Sequence, residues 1–224
     1  MNNPLLENNT LPAFDRIQPE HVVPAIDQLL GENREAVEQL VSATNEFTWD
    51  TFVQPLEDMD DRLNRAWSPV SHLHSVRDNE ALRKAYSECI GKLSDYATEM
   101  GQHEGLYKGF KAVADSDGYA QLAPAQKKII DNALRDFRLS GIELNNEDRA
   151  AYRRLQQELT QLQTRFEENL LDATQAWKKH VIDKDTLSGL PQSVLGYLEQ
   201  SARENGFEEG WLLTLDFPCY LPVM

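Results

Sequence analysis

The sequence predicts a mainly α fold: a multi-helix array with a long helical hairpin and a terminal β-strand belonging to a missing part of the protein. Three observations predict it. Apolar residues recur at spacings of three and four from Pro19 to about Glu204. The longest such stripe, Tyr152, Leu155, Leu159, Leu162, Phe166, Leu170, Ala173 and Trp177, reads as a coiled-coil-like seam. Against this helical background one strong strand candidate stands out, Trp211-Leu212-Leu213-Thr214-Leu215.

The elements follow in order. Leu11 to Phe14 and Ile17 read as an extended arm with apolar anchors. Pro19 suits a first helical position, opening a helix with Val22, Val23, Ile26, Leu29 and Leu30 inward. Pro24 is tolerable only near its first turn, and Gly31 is expected to interrupt before Val37, Leu40 and Val41 resume. Thr48 caps a helix from Trp49 to about Arg65, in which Pro55 marks a kink or a later start. Ser68-Pro69 is expected to break the pattern. Asp78 or Asn79 caps a helix carrying Leu82, Tyr86, Leu93 and Tyr96. Gly101, Gly105 and Gly109 line one face of the next helix with bare backbone, permitting close contact. Asp115 to Gly118 is a turn, and Pro124 opens a helix that Gly141 ends. Asn145 or Asn146 caps the long element, which should form an antiparallel hairpin with the helix before it. A last helix follows Gly189-Leu190-Pro191 and runs to about Glu204.

A lone strand leaves its N–H and C=O groups without a ladder. Each group buried unpaired costs about 1–3 kcal/mol. Exposing the strand instead leaves Trp211, Leu213 and Leu215 in water, at about 1.5–3 kcal/mol for each large side chain. The partner strands are therefore expected downstream. Residues 1–205 are read as a helical amino-terminal region, and 206–224 as strand and extended tail leading into another part.

Composition narrows the function. With 22 Lys and Arg against 37 Asp and Glu, the net charge is −15, and no basic stripe exists to neutralise phosphates. Nucleic-acid binding is excluded on that ground. No run of about 18 apolar residues occurs, so no membrane span is expected. The first residues lack a basic and an apolar signal region, and Cys89 and Cys219 are far apart, which fits a reducing cytoplasm.

No catalytic constellation emerges from spacing. His72 and His74 are two apart and point away from each other on a helix. His103-Glu104-Gly105-Leu106-Tyr107 has the opening of H-E-x-x-H, but Tyr107 stands where the second imidazole belongs. His21 and His180 have no ligand-type residue one turn on. No histidine follows a Glu by three residues, and no G-x-S-x-G or phosphate loop is present. No catalytic, cofactor-binding or metal-ligating residue is assigned in this chain.

Six segments nonetheless carry a resemblance. Phe14-Asp15-Arg16-Ile17-Gln18-Pro19-Glu20-His21-Val22-Val23-Pro24-Ala25-Ile26 is similar to the amino-terminal region of the thimet oligopeptidase family of zinc metallopeptidases. So, in the same order, are Ser68 to Leu73, Gly101 to Tyr107, Asp131 to Phe137, Leu171 to Thr174 and Gly210 to Asp216. The resemblance implies a chain about three times longer, with two largely helical halves flanking a channel that admits short peptides and excludes folded proteins. It implies a zinc ion on an H-E-x-x-H helix in the missing carboxy-terminal catalytic part, so that the piece alone is inactive and binds no zinc. This piece then resembles a channel wall. Two further expectations attach to the chain itself. The bare edge of Trp211 to Leu215 offers a route to a dimer. From a different class, the chain would be a free-standing helical scaffold binding partners through the Tyr152 to Trp177 seam or through the apolar tail. A reading frame continuing past Met224 favours the peptidase reading over the scaffold, and a stop codon there favours the scaffold.

Overall fold

The computed structural model describes residues 3–8, 10–43 and 46–224; Met1 and Asn2, which open the stretch weighed above for a signal, lie outside them. The chain divides into two compact units, Met1–Gln161 and Leu162–Met224. The 205/206 junction expected from sequence lies inside the second.

In the first unit, Pro4–Leu6 form a 3-10 turn whose Asn3 side chain accepts from the Leu5 N–H at 3.1 Å. Helix α1 (Pro19–Ser42) starts at the predicted proline. It runs unbroken through Gly31, contrary to the expected interruption. One glycine costs a helix about 1 kcal/mol, and burial of Leu29, Leu30, Asn33 and Val37 around it offsets that. Thr48 caps a π-helical turn, Trp49–Val53, its hydroxyl accepting from the Thr51 N–H at 3.1 Å. Helix α2 (Gln54–Val76) begins only there, with Pro55 in its first turn. The break expected at Ser68-Pro69 does not occur. Pro69 forfeits one backbone hydrogen bond, yet it and its neighbours Ala66 and Val70 are buried, and packing holds the helix straight through.

Asn79 caps α3 (Glu80–Gly101), accepting from the Leu82 N–H at 3.0 Å. Helix α4 (Glu104–Ala114) follows, so the three glycines belong to two helices rather than one. The close approach they predicted is real at Gly109, where an added Cβ would fall inside van der Waals contact of the fully buried Phe52 ring. Helix α5 (Pro124–Leu139) packs against α4. Two cores result. One joins α1, α2 and α3 through Ile26, Leu29, Val70, Tyr86 and Cys89. The other gathers Val37, Phe52, Phe110, Val113, Ile130 and Phe137, in which Phe52 and Phe110 meet edge to face at 5.5 Å.

Helix α6 (Asn146–Ala176) is continuous and contributes residues to both units. Asn145 caps it, accepting from the Asp148 N–H at 3.0 Å. The long hairpin with the preceding helix is not formed: α5 lies on α4 instead, and the stripe meant to seal the hairpin is exposed.

The second unit corrects the strand expectation. Strand β1 (Lys178–Val181) pairs antiparallel with β2 (Trp211–Thr214), with Lys178 opposite Thr214 and Val181 opposite Trp211. The terminal strand thus has a ladder partner within the chain, and these two strands make up the sheet among the described residues. Gly210 precedes β2 at φ 90°, where a Cβ would sit 2.6 Å from the Val181 carbonyl oxygen, so the entry into the strand needs glycine. Helix α7 (Gln192–Glu204) packs on β2, burying Leu195, Leu198 and Leu213 with Leu187 and Cys219. The predicted extended tail is a short helix, α8 (Phe217–Val223), opened by the Asp216 carbonyl accepting from Cys219 and Tyr220 N–H groups at 2.9 and 2.8 Å.

Candidate functional site

Each histidine has a structural occupation. His21 Nδ1 accepts from the Gln18 N–H at 3.1 Å and closes the start of α1. His72 tilts against Phe14, their rings 5.5 Å apart. His74 is buried and stacked 4.0 Å from Tyr86, with Nε2 unpartnered. His103 caps α4, its Nδ1 accepting from the Leu106 N–H at 3.2 Å while Nε2 lies 3.3 Å from Glu38. The neighbouring Glu104 faces Arg149 at 3.4 Å. His180 stacks on Phe207 and its Nε2 lies 2.8 Å from the Glu209 carbonyl oxygen. Among the described residues, no three His, Cys, Asp or Glu side chains converge on a point where an ion could sit. His103 caps the start of α4 and Glu104 lies in its first turn.

Two concavities of the first unit differ in kind. A cleft of about 650 Å³ between the amino-terminal arm and α2 is lined by charges already paired. Arg62 meets Glu32 at 2.6 Å and Arg65 meets Asp61 at 2.7 Å. A second hollow, about 360 Å³, is floored by Val37, Leu63, Leu106 and Phe110, with Met59 and Met100 on its walls and Glu57 and Asp60 among its lining. Burial, helped by the charges of Asp60 and Asp58, pushes the Glu57 carboxyl above the ordinary glutamate value. Burial likewise raises the Tyr96 phenol on the same wall, against a hydrogen bond with Asn33. This is an apolar hollow with carboxylates beside it, and it holds no nucleophile–base pair.

The most unusual surface belongs to α6. At about 100° per residue, Gln157, Thr160 and Thr164 share one face, and Leu155, Leu159, Leu162, Phe166 and Leu170 share the opposite one, within an arc of about 80°. The polar face is the one turned inward. Ser94 and Thr160 share a hydrogen bond at 3.0 Å, the Gln157 amide donates to Asp95, and Thr164 is buried. Arg149 ties the start of the helix down by donating to the Ile142 and Leu144 carbonyls. The apolar face looks outward: Leu162, Phe166 and Leu170 are 54%, 69% and 58% exposed. Sequence reasoning assigned that face to the seam of a helical hairpin, or to a partner helix, because periodicity reports that a helix is two-sided, not which side is covered. The signal it passed over was the matching polar face, Gln157, Thr160 and Thr164, together with Ser94 and Asp95 on α3.

Among the described residues, no helix is long and apolar enough to cross a membrane. Residues 26–149 match the family model of the N-terminal domain of neurolysin/thimet oligopeptidase. Over all 224 residues the chain is 48% identical to oligopeptidase A of Escherichia coli and 46% identical to oligopeptidase A of Haemophilus influenzae. It is 38% identical, over 99% of its length, to a probable cytosolic oligopeptidase A of Arabidopsis thaliana. The chain spans about a third of the length of these relatives, 33%, 33% and 32%. The family model covers more than half of the sequence, and the chain belongs to the neurolysin/thimet oligopeptidase family through that family's N-terminal domain.

Proposed function

We propose that this chain is the helical amino-terminal part of a cytoplasmic zinc metalloendopeptidase that hydrolyses short peptides, and that it supplies wall rather than reaction centre. The observation that carries this reading is the alignment of all 224 residues with a third of oligopeptidase A. The sequence holds no H-E-x-x-H, so the metal and the water-activating carboxylate are assigned to the two thirds of the relatives that this chain does not span. The role left for these helices is steric. A rigid wall restricts entry to flexible peptides, which thread a narrow passage that a folded domain does not fit.

The test uses the full reading frame and a quenched fluorescent peptide. Hydrolysis is expected to vanish with a chelator and to return with zinc. Cleavage that persists after complete zinc removal overturns the reading. The 224-residue chain alone is expected to leave the peptide intact and to give no tight one-to-one zinc isotherm.

A further inference from the structure

We infer that the outward stripe of α6, centred on Leu162, Phe166 and Leu170, is the seat of the additional polypeptide that the oligopeptidase relatives carry beyond the third matched here. The inference rests on the reading above that the working protein is longer than this chain.

Three observations carry it. The stripe is regular: side chains at 162, 166 and 170 follow one another turn by turn and all stand in water. Leaving such side chains exposed forgoes about 1.5–3 kcal/mol each, and rows of this kind mark interfaces in folded proteins. The helix is also already attached by its other side. Gln157 and Thr160 bond to Asp95 and Ser94, so the apolar face is left over for something else rather than displaced from its place. Finally, the length is there to cover it, because the chain accounts for 33% of each bacterial relative.

A second copy of this chain is the rival occupant, and charge disfavours it. Each copy carries a net −15, and pairing brings like charge against like. An occupant from the same long polypeptide also needs no concentration to hold it in place.

The buried cysteines permit a direct test. Cys89 and Cys219 are both shielded, so Phe166→Cys introduces one accessible thiol. Its labelling rate is compared in this chain alone and in a chimera in which this chain replaces the matching third of Escherichia coli oligopeptidase A. Labelling is expected to be fast in the former and slower by about tenfold or more in the latter, as for any site sealed by packing. Equal rates overturn the inference. So does protection in the chain alone that rises with its concentration, which identifies a second copy, and so does protection in the chimera only when peptide is added, which identifies a substrate-facing wall. Should the chimera fail to fold, hydroxyl-radical footprinting of intact Escherichia coli oligopeptidase A reads the aligned position: low modification supports the interface, and modification equal to that of a surface loop overturns it. Because labelling does not depend on catalysis, a chimera that hydrolyses peptide yet labels fast sinks the interface while leaving the peptidase assignment standing.

Discussion

Gly109 and Phe52 act as lock and key at the centre of the first unit, and the absence of one carbon decides whether they fit. A Cβ at 109 would press into a ring that is fully buried between Phe47 and Phe110 and cannot swing to solvent. Gly109→Ala is therefore expected to destabilise the chain by about 1–3 kcal/mol, although alanine is the better helix former. Urea unfolding measures it, and an unchanged midpoint contradicts the packing described. Glu57 makes the opposite case, a residue the fold would rather not charge. Its folded-state affinity for a proton exceeds its unfolded one, so its contribution to stability falls as pH rises through the raised value. Glu57→Gln is expected to raise Tm at pH 7, and the advantage should fade as pH drops below the ordinary value of 4.5. A Tm difference that is flat from pH 4 to 8 rejects the assignment. Cys89, held at the apolar junction of α1, α2 and α3, has its thiol pushed up to about 11 by burial, which makes it packing material rather than a nucleophile.

Elements differ in how much each depends on the rest of the chain. Phe166→Glu on α6 is expected to change the stability of the free chain by less than about 0.5 kcal/mol, because the side chain already stands in water. Leu212→Ala on β2 removes a fully buried side chain and is expected to cost about 2–5 kcal/mol. Thermal unfolding of the pair checks the contrast; equal losses would mean that Phe166 is packed. The same contrast explains which elements were readable beforehand. Caps and proline starts were legible because their chemistry is local: Pro19, Thr48, Asn79, Pro124 and Asn145 each sit where a helix or its preceding turn begins. Gly31 and Pro69 misled because a local penalty of this kind is small beside the burial of Leu29, Leu30 and Val70 around it. Strand β1 escaped notice since Lys178-Lys179-His180-Val181 has no apolar alternation; its partner, not its composition, makes it a strand. The tail became a helix for a similarly short-range reason, the Asp216 carbonyl capturing two N–H groups that an extended chain would have left in water.

For the molecule as a whole, the histidines that the sequence singled out are engaged in caps and ring contacts. The outward face of α6 was not legible, because it depends on Ser94 and Asp95, some sixty positions away, offering hydrogen bonds to the opposite side. The chain spans 33% of each bacterial oligopeptidase A that it matches, and the proposed division between wall and reaction centre is tested on the chain by itself. The isolated chain should fold, judged by circular dichroism, while leaving peptides uncut; steady turnover by the purified 224 residues alone would refute the division of labour proposed.

The seam between α3 and α6 has a calorimetric consequence. It is stitched by hydroxyl and amide groups, and hydrating polar surface lowers heat capacity whereas hydrating oily surface raises it. Parting that seam should contribute almost nothing to the heat-capacity step of melting, while dissolving the aromatic cluster around Phe52 should dominate it. The heat-capacity step of a scanning trace therefore reports the melting of the aromatic cluster far more than the parting of the α3–α6 seam.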